Sequence, residues 1–119
     1  MRKVFNIIRG DSNIFVTNFF NDSGPIDISD KTIKFTVKKN YADDDSDAII
    51  RKDSDEDGGI VIDSEITGKA TITLIPSDTV LLDSKTHELS YDIEYIVSES
   101  ESYTTERGTI IITSDITIA

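Results

Sequence analysis

Apolar residues recur at every second position in several short runs of this chain. The clearest run covers residues 89–97, where Leu89, Tyr91, Ile93, Tyr95 and Val97 alternate with Ser90, Asp92 and Glu94. A strand sends successive side chains to opposite faces, so this pattern predicts one apolar and one wet face. Two aromatics on the apolar face bury a large area, which makes this run the expected central strand. Ile33, Phe35 and Val37 alternate with Thr and Lys over residues 32–38, and Ala70, Ile72 and Leu74 do the same over residues 69–74. Residues 4–8 and 14–20 read as two earlier extended runs. In the second of these, Phe19 and Phe20 are adjacent and cannot share a face, which leaves its period open.

Turn signals separate the runs: Gly10-Asp11, Asn21-Asp22-Ser23-Gly24-Pro25, and the polar stretch 98–102. Lys38 and Lys39 close one strand and are expected to discourage edge-to-edge pairing. The short runs 48–52 and 60–62 flank the acidic stretch 53–59 and are expected to form a hairpin with that stretch at its tip. Pro76 ends the strand before it, and residues 77–82 resemble one capped helical turn with Ser77 as N-cap. The last strand, 103–113, puts Ile110 and Ile112 on one face and Thr109, Ile111 and Thr113 on the other. Ile111 breaks the polar-out alternation there, so it is expected to mark a surface that another chain covers. No segment has helical periodicity over a useful length. The pattern predicts a single domain over residues 1–119: an all-β, immunoglobulin-like antiparallel β-sandwich of about seven to eight strands with one short helical turn.

Charge removes some function classes. With 119 residues the chain has the size of one domain, and its net charge is -11. Nucleic-acid binding needs a basic patch, and no basic cluster larger than the pair Lys38-Lys39 is present. The same charge repels anionic membranes and favours solubility. No stretch reaches membrane-spanning length. The opening residues 1–9 start like a signal peptide, but Asn6 breaks the apolar run, Arg9 closes it, and no small-residue cleavage site follows. The expectation is a soluble protein without an export signal. With no cysteine, thiolate metal sites and disulfides are excluded.

The sharpest local motif is Asp53-Ser54-Asp55-Glu56-Asp57-Gly58. Alternate carboxylates at Asp53, Asp55 and Asp57, followed by a glycine, open a calcium-binding loop. The motif asks for a bidentate glutamate at its twelfth position, where this chain has Ser64, with Glu65 one residue late. The flanks read as strands rather than helices. A solvated acidic tip is therefore the first reading, and weak opportunistic Ca2+ binding at Asp53, Asp55 and Asp57 is the alternative. The single histidine, His87, lies beside Glu88 at a strand start and is expected to be exposed. It has no neighbours in sequence from which to build a zinc site or a nucleophile–base pair. No catalytic set emerges, and the expected chain is not an enzyme. Tyr91 and Tyr95 read as core residues. Tyr41 and Tyr103, at loop or strand edges, join Ile111 as candidate partner contacts.

Several phrases, in order along the chain, resemble a family of small phage virion domains. The first are Arg9-Gly10-Asp11, Ser23-Gly24-Pro25-Ile26-Asp27-Ile28-Ser29 and Lys31-Thr32-Ile33-Lys34-Phe35-Thr36-Val37-Lys38-Lys39. Ala70-Thr71-Ile72-Thr73-Leu74-Ile75-Pro76-Ser77-Asp78-Thr79 and Tyr91-Asp92-Ile93 follow. Gly108-Thr109-Ile110-Ile111-Ile112-Thr113-Ser114-Asp115-Ile116-Thr117 closes the series. The resemblance is to β-sandwich modules such as the N-terminal domain of phage baseplate upper proteins, and to tail and head accessory proteins. The family commonly has an aromatic where this chain has Leu89, so an analogy to a tyrosine corner at Tyr91 is weaker here. The resemblance implies a non-enzymatic structural or adaptor protein of a tailed phage virion, made in the host bacterial cytoplasm. Its implied partners are other virion proteins of the capsid, tail or fibre, with several copies or a homo-oligomer in the particle. A carbohydrate- or calcium-dependent binding module is the alternative, favoured by the acidic motif alone.

Overall fold

A computed structural model describes residues 3–21, 23–29, 31–40, 48–55, 58–64, 68–79 and 86–113. In chain order the strands are β1 (Lys3–Ile8), β2 (Asn13–Asn18), β3 (Phe20–Asn21), β4 (Gly24–Pro25), β5 (Thr32–Lys38), β6 (Ile50–Asp53), β7 (Ile60–Ser64), β8 (Lys69–Leu74), β9 (His87–Ser98) and β10 (Glu101–Thr113). Five of them form one sheet in the order β1-β10-β9-β5-β6, and three form another, β2-β8-β7; β3 and β4 make a two-residue ribbon. This division matches the two-sheet order of immunoglobulin-type sandwiches, with the chain changing sheet between β1 and β2, β6 and β7, and β8 and β9. Eight strands in the two main sheets agree with the expected number. One pair departs from the antiparallel expectation: β1 runs parallel to β10, with Phe5 beside Ile110 and Ile7 beside Ile112.

The alternating runs face as their pattern requires. Ile33, Phe35 and Val37 of β5, Ala70, Ile72 and Leu74 of β8, and Leu89, Tyr91 and Ile93 of β9 are all buried. Between the sheets, Phe5, Phe15, Phe35 and Tyr91 form a closed ring of aromatic contacts with centroids 4.6–6.4 Å apart. Tilted packing of this kind adds to plain area burial. Phe19 is buried and Phe20 is exposed, which settles the ambiguous second run. Val97 is exposed, because β9 continues past its last partner on β5, the pair Ile96–Thr32.

Four local expectations are corrected. The runs either side of residues 53–59 do not form a hairpin: β6 pairs with β5 and β7 with β8, so the two runs belong to different sheets, with a bridge between Asp53 and Gly59. Lys38 guards no edge, since β5 lies between β9 and β6. Ser77 is not a cap. Instead a 3-10 turn spans Pro76–Asp78, and the Asp78 carboxylate reaches back to accept the Ile75 N–H at 2.7 Å. Asp78 also pairs with Lys52 at 2.8 Å, tying that turn to β6. His87 is half-buried rather than exposed, opposite Ile112 at the start of β9.

A register shift between Thr104 and Glu106 decides the facing of β10. A bulge places two residues of one strand against one of its partner, so the parity of inward positions changes across it. Tyr103 lies opposite Tyr95 before the shift, whereas Glu106, Gly108 and Ile110 lie opposite Ile93, Tyr91 and Leu89 after it. The bulge thereby brings the Glu106 carboxylate to the Tyr91 hydroxyl, which donates to it at 2.8 Å. The phenol thus bonds a side chain on the neighbouring strand.

Candidate interaction surface

Two outer faces remain once the core is assigned, and they differ in chemistry. On the five-stranded sheet, Arg107, Asp92, Thr36 and Arg51 form one cross-strand row, and Thr104, Glu94, Lys34 and Asp53 form the next. Opposite charges at neighbouring positions on a sheet face attract modestly and hold the face solvated. Lys34, Thr36, Arg51, Lys52, Asp53 and Glu94 line a small polar depression there of about 50 Å³. Ile111 sits on this same face between Asn6 and Glu88, half-buried, near the exposed Val4 and Ile8 of β1.

The outer face of the three-stranded sheet carries β-branched side chains instead. Ile14 and Val16 of β2 are 68% and 54% exposed, and Val61 of β7 is 62% exposed. The register sets Val16, Thr71 and Val61 in one row, with Ile14 beside Thr73 in the next. Thr71 donates its hydroxyl to Asp63 at the rim of this face. Isolated exposed aliphatics are ordinary, and here three of them share one sheet face as an uncharged patch. The sequence carried one sign of it. Apolar residues occupy both parities of residues 14–20, so one set had to face outwards.

A third feature is a chain of rings that leads out of the core. Buried Phe19 meets Tyr95 edge-on at 6.0 Å, and Tyr95 meets Tyr103 at 5.2 Å. Tyr103 is 46% exposed and donates its hydroxyl to the Glu101 carboxylate. That hydrogen bond, and then the carboxylate's charge, push the phenol above its ordinary value of 10.0. A raised folded-state value favours the neutral phenol, so its contribution holds below about pH 10 and fades as pH rises through the folded value. Glu101→Gln is expected to bring the Tyr103 titration down towards the ordinary value, read as a wild-type-minus-variant phenolate absorbance difference. Superimposable titrations would show that the bond does not form in solution.

The acidic motif is partly in view. Asp53 Oδ1 accepts the Asp55 N–H at 3.0 Å, and Gly58 N–H donates to the Asp55 carbonyl at 2.9 Å. Ser54 is stitched to β5, its N–H donating to the Ile33 carbonyl at 3.0 Å and its hydroxyl accepting the Ile33 N–H at 2.9 Å. Asp57 and Tyr41 lie outside the described residues. Among the described residues no three of His, Cys, Asp and Glu are grouped so as to hold a metal ion. No protein-family model matches the chain, and no curated protein sequence matches it either.

Proposed function

We propose that this chain is a non-enzymatic structural or adaptor protein of a tailed phage virion, a tail, baseplate, fibre-attachment or capsid accessory component that acts by docking to other virion proteins. The observation that carries the docking half of this reading is the uncharged patch of Ile14, Val16 and Val61, exposed on a sheet face of a strongly acidic chain. A surface of that kind gains by being covered, while surrounding like charge discourages wrong association. The virion half rests on the ordered phrases that resemble phage β-sandwich domains. Four of them fall on the strands that build the two sheets: residues 31–39 on β5, 70–79 on β8 and the turn after it, 91–93 on β9, and the described part of 108–117 on β10. Mass spectrometry of purified phage particles is expected to find the chain at several copies per particle. Its absence from intact particles would overturn the reading.

A further inference from the structure

Among the described residues no strand pairs with the outer edge of β2, and that edge is built to receive one. Of the four edges of the two main sheets among the described residues, β6 carries Arg51, Lys52 and Asp53, β7 carries Asp63 and a register irregularity, and β1 carries Lys3; β2, Asn13–Asn18, has no charge, no proline and an unbroken register. Charges, prolines and bulges are how edge strands avoid unwanted pairing, and β2 has none of them.

Its backbone phase follows from two hydrogen bonds. Thr73 N–H donates to the Gly59 carbonyl at 2.9 Å, so Thr73 directs its polar backbone groups to the β7 side of β8. In an antiparallel strand the bonding side alternates from residue to residue, so Ile72 directs its groups to its partner Phe15 on β2. Phe19 N–H donating to the Gly68 carbonyl at 2.7 Å continues the same phase. Asn13, Phe15 and Thr17 are therefore engaged with β8, and Ile14, Val16 and Asn18 aim their N–H and C=O groups outwards.

We infer that the occupant of this edge is a second copy of the chain, with two β2 strands pairing antiparallel about a two-fold axis. A closed dimer needs a self-complementary surface, in which a residue meets its partner in both directions. β2 meets that condition when Ile14 lies opposite Val16 of the second copy and Phe15 opposite Phe15. In that register the outward-aimed groups of Ile14 and Val16 bond each other, and their exposed side chains share one face. The two three-stranded sheets become one of six strands. Each copy carries -11, and β2 is an edge along which two such chains meet with no charged side chain at the seam. Repulsion between the more distant acidic residues is screened over about 8 Å at physiological ionic strength, so added salt tightens this dimer, whereas it would weaken capture of a basic partner.

Light scattering on the purified chain tests this independently of whether it belongs to a virion. The expected mass is twice 13.2 kDa, with dissociation on dilution and tighter association at higher salt. Val16→Lys is expected to weaken dimerisation by roughly a hundredfold, because it sets an ammonium against Ile14 of the second copy with a like charge diagonally across the seam. Val61→Lys, on the opposite edge of the same sheet, is expected to leave it intact. Circular dichroism melts verify that both variants fold. The chain has no cysteine, so Ile14→Cys/Val16→Cys supplies the only thiols and is expected to form intermolecular disulfides on mild oxidation. A monomeric wild-type chain at every concentration, an equal loss in both lysine variants, or failure of the cysteine pair to cross-link would each overturn the inference.

Discussion

Phe35→Ala is expected to destabilise the fold by roughly 3–5 kcal/mol, the usual cost of emptying a buried aromatic site. Phe35 is 1% exposed and lies on β5, with Ile93 of β9 on one side and Lys52 of β6 on the other. Its ring meets Phe15 across the sandwich at 6.4 Å and Tyr91 at 5.8 Å, so truncation opens a void facing both sheets. The atoms around it belong to paired strands, which resist moving in to fill that void. For a domain of this size the loss corresponds to a fall in Tm of more than about 10 °C. Phe20→Ala is the matched comparison. Its ring is 72% exposed, and its removal is expected to change stability by less than about 0.5 kcal/mol. Indistinguishable melts for the two variants would contradict the placement of the aromatic ring cluster.

Gly68→Ala is expected to have an effect of similar size by a different route. Gly68 has a φ of +68°, and a Cβ there would lie 2.6 Å from the carbonyl oxygens of both Phe19 and Ile26. Those carbonyls are held in place, since Phe19 accepts the Ile26 N–H at 2.9 Å and donates its own N–H to Gly68 at 2.7 Å. Left-handed backbone costs a residue with a Cβ about 1–2 kcal/mol, and forcing an atom against fixed backbone adds about 1–3 kcal/mol. Gly10→Ala separates these two parts. Gly10 has a φ of +82° with open space around it, so its variant carries the conformational cost alone. Urea unfolding is expected to give Gly68→Ala the lower midpoint by a clear margin, and equal midpoints would show that the crowding is relieved in solution.

The faces of strands were legible in the sequence to the extent that one side of each is buried. Phe35 could be assigned to the core from the alternation around it alone, and so could Ile72 and Tyr91. What alternation does not encode is which strand lies alongside. The segments either side of residues 53–59 carry the signals of a hairpin, and only the packing of two separate sheets sends them apart. Lys38 has the composition of an edge residue on an interior strand for the same reason. In the run Ile110-Ile111-Ile112 the flanking Thr109 and Thr113 give the outward parity, and Ile110 and Ile112 are buried as that alternation requires; the register shift upstream, which changes the parity for Tyr103, leaves no composition signal. Of the candidate contacts, Tyr103 and Ile111 were readable as residues out of keeping with their surroundings. The exposed patch of Ile14, Val16 and Val61 was half legible: the doubled parity of residues 14–20 announced an outward apolar set on β2, whereas Val61 joins it across β8 from a strand about 45 residues away.

The parallel pairing of β1 with β10 has a mechanical consequence. Six residue pairs, from Lys3 with Gly108 to Ile8 with Thr113, join the first and last strands of the fold side by side in the same direction. Tension applied to the chain ahead of β1 and beyond β10 would pull these strands lengthwise past each other. Every bond in the ladder would be loaded at once, whereas a hairpin pulled from its open end gives way one bond at a time. A sandwich closed in this manner resists stretching along its own chain far better than peeling from its β6 or β7 edge.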